Sequence, residues 1–566
     1  MKNPVIAIGL DAANSALIET WMNQGYLKNL SRLREQGAFT PLRDSDYTKA
    51  KTPYYRAETP WTSFLTGCSP QTTGFWGQIK FYEGTYTAFE EEECKGGAYD
   101  FTEYPPFYAQ KGRRSVVFDV PQSKIVDGVD GCQILAWGAH APMARSQSSP
   151  EALLQDLIDK HGKHPLLYRD HAETTNLESL KRLAEGLKQG ITRRVAICQD
   201  LLQREQWDLF LTVFGEIHAA EHFMWHVSQP DHPFHSLTDH SEDYLRDIFQ
   251  AVDQAIGAIL EAAPDPAHIV IFAVHSMATN TTDLPAMVFL PEWLYRFSFP
   301  GKMALASGRA SSQPGQPIVR SRKRGWTGET WSLRHDPQPV RGFLRRNLPM
   351  RVYKRLEKVL GIPQDGLASP DELKAEGNTL YWQPTSWYSR LWPEMKAFAL
   401  PSYSEGFIRI NLAGREPAGI VSPEDYESVC DQICEGLEQL KDARTGQPMV
   451  REIIRTRRSA LDRDPKLPAA DLIVLWQDDR PTDVVDSPEY GRIGPVPHGR
   501  TGGHRAGGFL LVKSPKIPAG FQLPVGQLLD IPPTILSLMD APVPQHLEGE
   551  SLLPVLATAG IESRCP

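Results

Sequence analysis

Short runs of consecutive apolar residues alternate along this chain with longer segments in which apolar residues return every three or four positions. PVIAIGL, near the start, is continuous enough for a strand buried on both faces, and SALIETWMNQGYLKNLSRLREQGA after it carries a helical period. The alternation recurs. RSVVFDV, CQILAWG, WDLFLTVFG and HIVIFAVH read as strands, while LESLKRLAEGLKQGITRRVAICQDLLQ and SEDYLRDIFQAVDQAIGAILEAA read as helices. Buried strands separated by helices predict an α/β fold with a mostly parallel central sheet and helices on both faces. From 296 to 384 the pattern dissolves into Pro, Gly and basic residues, after which AFALPS, FIRINL and DLIVLW resume strand character. The predicted organisation is one α/β core in two parts, 1–295 and 385–566, interrupted by an insertion at 296–384, with no internal repeat.

Composition narrows the class. The chain has 566 residues, 41% hydrophobic and 23% charged, enough to bury a large core. The apolar run at 5–10 is too short for a signal-peptide core and no later run approaches a membrane span, so a cytoplasmic protein without membrane association is expected. Seven cysteines with no CxxC pair do not form a disulfide framework. A net charge of −9 argues against nucleic-acid binding by the whole surface. Residues 320–358 are the contrast, with twelve Lys/Arg against Glu329, Asp336 and Glu357. This basic segment reads either as a solvated surface or as a docking surface for an anionic substrate, a carrier-bound intermediate or, less in keeping with the overall charge, a nucleic acid.

Chemistry enters with EIHAAEHFMWHV, which spaces His218, His222 and His226 four apart. Side chains at that spacing stack on one helical face, so two imidazoles can converge on one ion; the same spacing also suits ordinary core histidines. In open α/β folds ligands sit at the carboxyl ends of strands. Asp11 ends the first strand, Glu216 and His218 follow WDLFLTVFG, and His275 follows HIVIFAV. Further on, GRTGGHRAGG sets His504 among glycines that let backbone approach a ligand. Taken singly, Asp11 also suits a helix cap, His275 a core histidine and His504 a loop residue.

Five blocks in order, GLDAA with NLSRLREQGA, TPWTSFLTGCSPQTTGFWG, DLFLTVFGEIHAAEHFMW, VIFAVHSM, and GGHRAGGFLLVKSP with LLDIPPTILSLMDAPVPQHLEGESL, resemble the alkaline phosphatase superfamily, and within it the type I phosphodiesterase/nucleotide pyrophosphatase group. The resemblance implies an alkaline-phosphatase-like sandwich, a two-metal site, a Ser/Thr nucleophile at a helix start, and hydrolysis of phosphate esters or diesters. It places Asp11, His222, His275 and His504 at metal-ligand positions. Two positions depart from the group's pattern: His218 stands where an aspartate precedes the first ligand histidine, and Val274 stands for the aspartate before His275.

The resemblance puts the nucleophile on Ala57, which has no attacking atom. Thr59 is the nearest hydroxyl and precedes Pro60, a context that suits either a nucleophile or a helix cap. Glu58 would serve as a metal ligand or as a general base for water. In that frame His218, His222 and His504 form a three-histidine zinc site with an open position, where a metal-activated water replaces the missing side-chain nucleophile. The expectation is one tight Zn2+, with a second divalent ion weak, in a metal-dependent hydrolase of a phosphodiester, pyrophosphate or related phosphoester of a small metabolite. A superfamily member with altered chemistry, such as a sulfatase, transferase or biosynthetic hydrolase, and a metal-depleted scaffold are the alternatives.

Overall fold

A computed structural model describes residues 3–43, 58–90, 99–140, 144–238, 242–306, 318, 325–348, 352, 355, 356, 359 and 366–553. Its centre is a nine-stranded sheet in the order Gly526–Gln527, Ala38–Arg43, Gly508–Lys513, His268–Ala273, Val5–Leu10, Leu209–Phe214, Arg114–Phe118, Asp130–Leu135 and Gln147–Ser149. From His268–Ala273 to Asp130–Leu135 every neighbouring pair is parallel. Gly508–Lys513 and the edge strand Gln147–Ser149 run antiparallel to their neighbours.

The three innermost strands, Val5–Leu10, Leu209–Phe214 and His268–Ala273, are buried at every residue. That explains their unbroken apolar sequence, since helices cover both faces. Ile6, Ile8 and Leu10 join one apolar cluster with helices Ser15–Asn23, Leu177–Arg204 and Tyr244–Glu261. Val5 and Ala7 join another with Pro60–Thr66 and Ile531–Leu538. The period of two within the strand thus assigns each side chain to a face.

A second, antiparallel sheet is built from Ala397–Leu400, Gly406–Ile410, Leu472–Trp476 and Val450–Arg455. Its apolar face packs with helices Leu290–Ser298 and Tyr426–Glu438 into a core of its own. The segment 385–566, read from sequence as a continuation of the first core, is therefore divided. Its strands from 397 to 476 belong to this second lobe, and Gly508–Lys513 and Gly526–Gln527 return to the central sheet. Short connections favour local antiparallel pairing over insertion into a parallel sheet, which needs long crossovers. Helix Leu290–Ser298 crosses the 295/296 boundary and anchors the second core.

Within the basic insertion, helices Gly325–Ser332 and Pro339–Asn347 are described. Arg345 is 1% exposed and bonded to Asp336 Oδ2 at 2.6 Å and to the Arg334 carbonyl at 2.8 Å, so its charge braces the insertion instead of facing solvent. Trp326 Nε1 donates to the Pro497 carbonyl at 2.7 Å, fastening the insertion to the loop that leads into Arg500. No helix among the described residues is long and apolar enough to cross a membrane.

Candidate active site

The carboxyl ends of four parallel strands deliver the candidate residues to one rim. Asp11 follows Val5–Leu10, His140 follows Asp130–Leu135, helix Glu216–Met224 follows Leu209–Phe214, and His275 follows His268–Ala273. After His275 the chain forms the strand Ser276–Thr279, which pairs antiparallel with Gly502–Arg505 in a register that sets Met277 opposite His504. This ribbon brings His504 to His275, with ring centroids 5.1 Å apart.

His218 is the hub. Its Nδ1 lies 2.7 Å from Asp11 Oδ2, and its Nε2 lies 3.0 Å from His222 Nε2 and 3.2 Å from His504 Nε2. His222 is anchored through its other nitrogen, since Nδ1–H donates to the Gly502 carbonyl at 2.9 Å. Gly502 is required for that approach: a Cβ there would lie 2.2 Å from the Glu221 carbonyl oxygen. The glycines expected to admit a ligand thus admit the histidine helix. The helical face ends with His222, because the α-helix stops at Met224 and His226 turns away on a short 3-10 turn, near Thr501 Oγ1 at 3.0 Å.

Asp11 is fully engaged, accepting Trp61 Nε1–H at 2.7 Å on Oδ1 and His218 on Oδ2. Burial opposes its charge, but His218, His275 and Trp61 outweigh it and take the carboxyl down to about 2. Burial holds His222 and His504 well below the usual histidine range, with the nearby Arg500 charge acting in the same direction. His218 is lowered too, chiefly by burial. His218, His222 and His504 are therefore neutral at neutral pH.

His275 is buried, and neither ring nitrogen has a hydrogen-bond partner among the described residues; Nε2 stands 3.7 Å from Asp11 Oδ1. Two unsatisfied nitrogens cost on the order of 1–3 kcal/mol each, and a cation would relieve the one that carries the lone pair. Val274, where the resemblance calls for aspartate, lies instead in the apolar cluster with Val270 and Phe272. The donor set fits a borderline ion such as zinc, whose ligands at about 2.0–2.1 Å in tetrahedral array stand roughly 3.3 Å apart.

Thr59 precedes helix Pro60–Thr66, is wholly buried, and makes no side-chain capping bond. Glu58 Oε1 accepts the Tyr403 N–H at 3.2 Å, which turns that carboxylate toward the second lobe. Trp61, on the Asp11 carboxylate, ties this helix to the cluster. Ala57 lies outside the described residues.

Four participants escape the sequence reading. His140 bonds Asp170 through Nδ1 and places its ring 4.5 Å from that of His218. Arg500 reaches His222 Nε2 at 3.0 Å while paired to Asp283 at 2.6 and 3.1 Å. Only His140 leaves a signal, because it follows the strand-like CQILAWG at the edge where ligands gather. Glu216 sits beneath the site, 3.0 Å from the buried Arg194.

A family model for type I phosphodiesterase/nucleotide pyrophosphatase matches residues 5–502. No curated protein matches the chain in sequence. Phosphonoacetate hydrolase from Sinorhizobium meliloti 1021, solved with phosphonoformate, is 12% identical, with 95% of this chain and 96% of that one covered and a TM-score of 0.45. Alkaline phosphatase PafA is 11% identical over 98% and 99% of the two chains, with a TM-score of 0.46. Murine ectonucleotide pyrophosphatase/phosphodiesterase 5 in complex with AMP is 9% identical over 98% and 99%, with a TM-score of 0.44.

Proposed function

The chain belongs to the type I phosphodiesterase/nucleotide pyrophosphatase family, and from that premise we propose that it is a metal-dependent hydrolase of a phosphodiester, pyrophosphate or related phosphoester of a small anionic metabolite. The observation that carries the metal dependence is the convergence of His218, His222 and His504 through their Nε2 atoms, at 3.0 and 3.2 Å from the hub. Uncharged imidazoles that direct lone pairs at one another repel unless a proton or a cation lies between them. The depressed basicity of the cluster disfavours the proton.

A divalent ion held there supplies Lewis-acid chemistry toward a phosphoryl oxygen and toward water. The chain's own residues do the rest. Asp11 and the Gly502 carbonyl fix the tautomers of His218 and His222, keeping both Nε2 atoms directed inward. Arg500, steered by Asp283, swings from His222 Nε2 to the non-bridging oxygens of the substrate, where a guanidinium fork matches a phosphoryl group. With Val274 unable to ligate, that cation offsets charge a second ion would otherwise balance. Attack falls to Thr59 or to water, and Glu58 is the candidate base.

The test is turnover of bis(p-nitrophenyl) phosphate by purified protein before and after chelation. Activity lost to chelator and restored by zinc supports the reading. Activity indifferent to chelator removes the metal from it, and no activity on this or pyrophosphate substrates removes the hydrolase.

One contact favours a second reading. Arg500 already donates to the nitrogen of His222 that a cation needs. A metal-free cluster closed by Arg500 and Asp283 would make this a binding protein that keeps the family fold, and metal content separates the two.

A further inference from the structure

We propose that His140, held by Asp170, is an additional ligand of the ion the histidine cluster accepts, binding it beside His218 and His222. The inference rests on the metal reading above and concerns a residue that the sequence comparison does not supply.

Position comes first. His140 leaves the carboxyl end of Asp130–Leu135 and its ring centroid lies 4.5 Å from that of His218 and 5.3 Å from that of His222. Imidazoles bound to one zinc through nitrogen at about 2.0–2.1 Å have centroids roughly 5 Å apart. The ring tilts by 49° to each neighbour, so it stacks on neither. Each of the three offers a ligand atom within 4.8 Å of the other two.

Orientation comes second. The Nδ1 of His140 is bonded to the Asp170 carboxylate, which leaves Nε2 as the nitrogen able to bind an ion. His218 is held in the same way by Asp11, and His222 by the Gly502 carbonyl. All three rings therefore have one nitrogen tied to an acceptor outside the cluster and the other directed inward, the arrangement that fixes a metal-binding histidine. His504, by contrast, has no hydrogen-bond partner on Nδ1 among the described residues.

Chemistry comes third. The resemblance supplies carboxylates at positions where this chain has His218 and Val274. His140 adds nitrogen where His218 has already replaced oxygen, and an all-nitrogen site selects zinc and its late transition-metal neighbours over magnesium, calcium or manganese.

The experiment titrates metal-free protein with Co2+, read by visible absorption, and with Zn2+ in competition with a chromophoric chelator. Wild type, His140→Ala and Asp170→Asn are compared. His140→Ala is expected to weaken zinc at least about 100-fold and to change the cobalt bands, and Asp170→Asn to weaken zinc about 10- to 100-fold. Wild-type affinity and an unchanged cobalt spectrum in His140→Ala would overturn the proposal and leave the other three histidines as the site. Failure of the wild type to bind either ion would instead remove the metal reading itself. His140→Gln, which keeps a donor for Asp170 but no imidazole, replaces the alanine variant if that does not fold.

Discussion

Replacing Arg194 by methionine should uncouple the two segments that carry histidines to the site. Arg194 is fully buried; its Nε lies 3.0 and 3.2 Å from the Glu216 oxygens, and its Nη2 lies 2.7 Å from Asp119 Oδ2. Glu216 opens the helix bearing His218 and His222, while Asp119 accepts the N–H groups of Trp137 and Gly138 just before His140. Methionine fills much of the space but leaves two buried carboxylates without their cation. Breaking such a pair costs about 3–5 kcal/mol. Asp119 keeps its two backbone donors, so most of the loss falls on Glu216, left with its own backbone N–H and His164 Nε2 at 3.4 Å. In the wild type, burial pushes the Glu216 carboxyl up, and Arg194 together with His164 and the backbone N–H of Glu216 more than reverses it. In the variant burial prevails and the folded-state pKa rises above that of the unfolded chain. The variant is then least destabilised below the unfolded carboxyl pKa of about 4.3 and loses stability as pH rises through the folded value. Urea unfolding of wild type, Arg194→Met and the triple Arg194→Met/Glu216→Gln/Asp119→Asn, at pH 5 and pH 8, reads this directly. The single variant should be weaker at pH 8 than at pH 5, and the triple should recover most of the loss. A single variant within about 1 kcal/mol of wild type at both pH values, well short of the cost of a broken buried pair, refutes the reasoning.

Other outcomes follow from the same geometry. Chelated protein should lose stability as pH falls from about 6.5 toward 4, because burial takes both His275 and His498 down to about 4 and the unfolded chain binds those protons first. At pH 5 each contributes a loss of about 2 kcal/mol, measurable as a falling urea midpoint; a flat midpoint across that window contradicts it. Gly502→Ala places a Cβ 2.2 Å from the Glu221 carbonyl and displaces the acceptor of His222, so zinc affinity should fall at least about 10-fold by chelator competition, and unchanged affinity refutes that role. Thr59→Ala should lower kcat about 100-fold or more with metal content unchanged, whereas full turnover would assign the attack to water.

The central strands were legible because burial on both faces leaves an unbroken apolar run, and the strand ends then pointed to Asp11, His218 and His275. The second lobe was not legible as a separate body. FIRINL and DLIVLW look like core strands whichever sheet they join, and the pairing that decides it lies in contacts across the chain. His222 and His218 followed from helical spacing, but the same spacing included His226, which the end of the helix at Met224 removes from the face. Asp170 and Arg500 reach the site from loops and Asp283 from the start of a helix, none of them in a periodic pattern, so the sequence carries no local mark of them. Arg345 shows the limit of charge counting: it stands in a basic run yet is buried against Asp336.

The most direct measurement is the metal content of protein purified without chelator and dialysed, by elemental analysis, for the wild type and for His222→Ala and His226→Ala. The account predicts one equivalent of zinc per chain in the wild type, none in His222→Ala, and one in His226→Ala, whose ring turns away from the cluster. Wild-type protein without bound metal, or His222→Ala retaining a full equivalent, contradicts it.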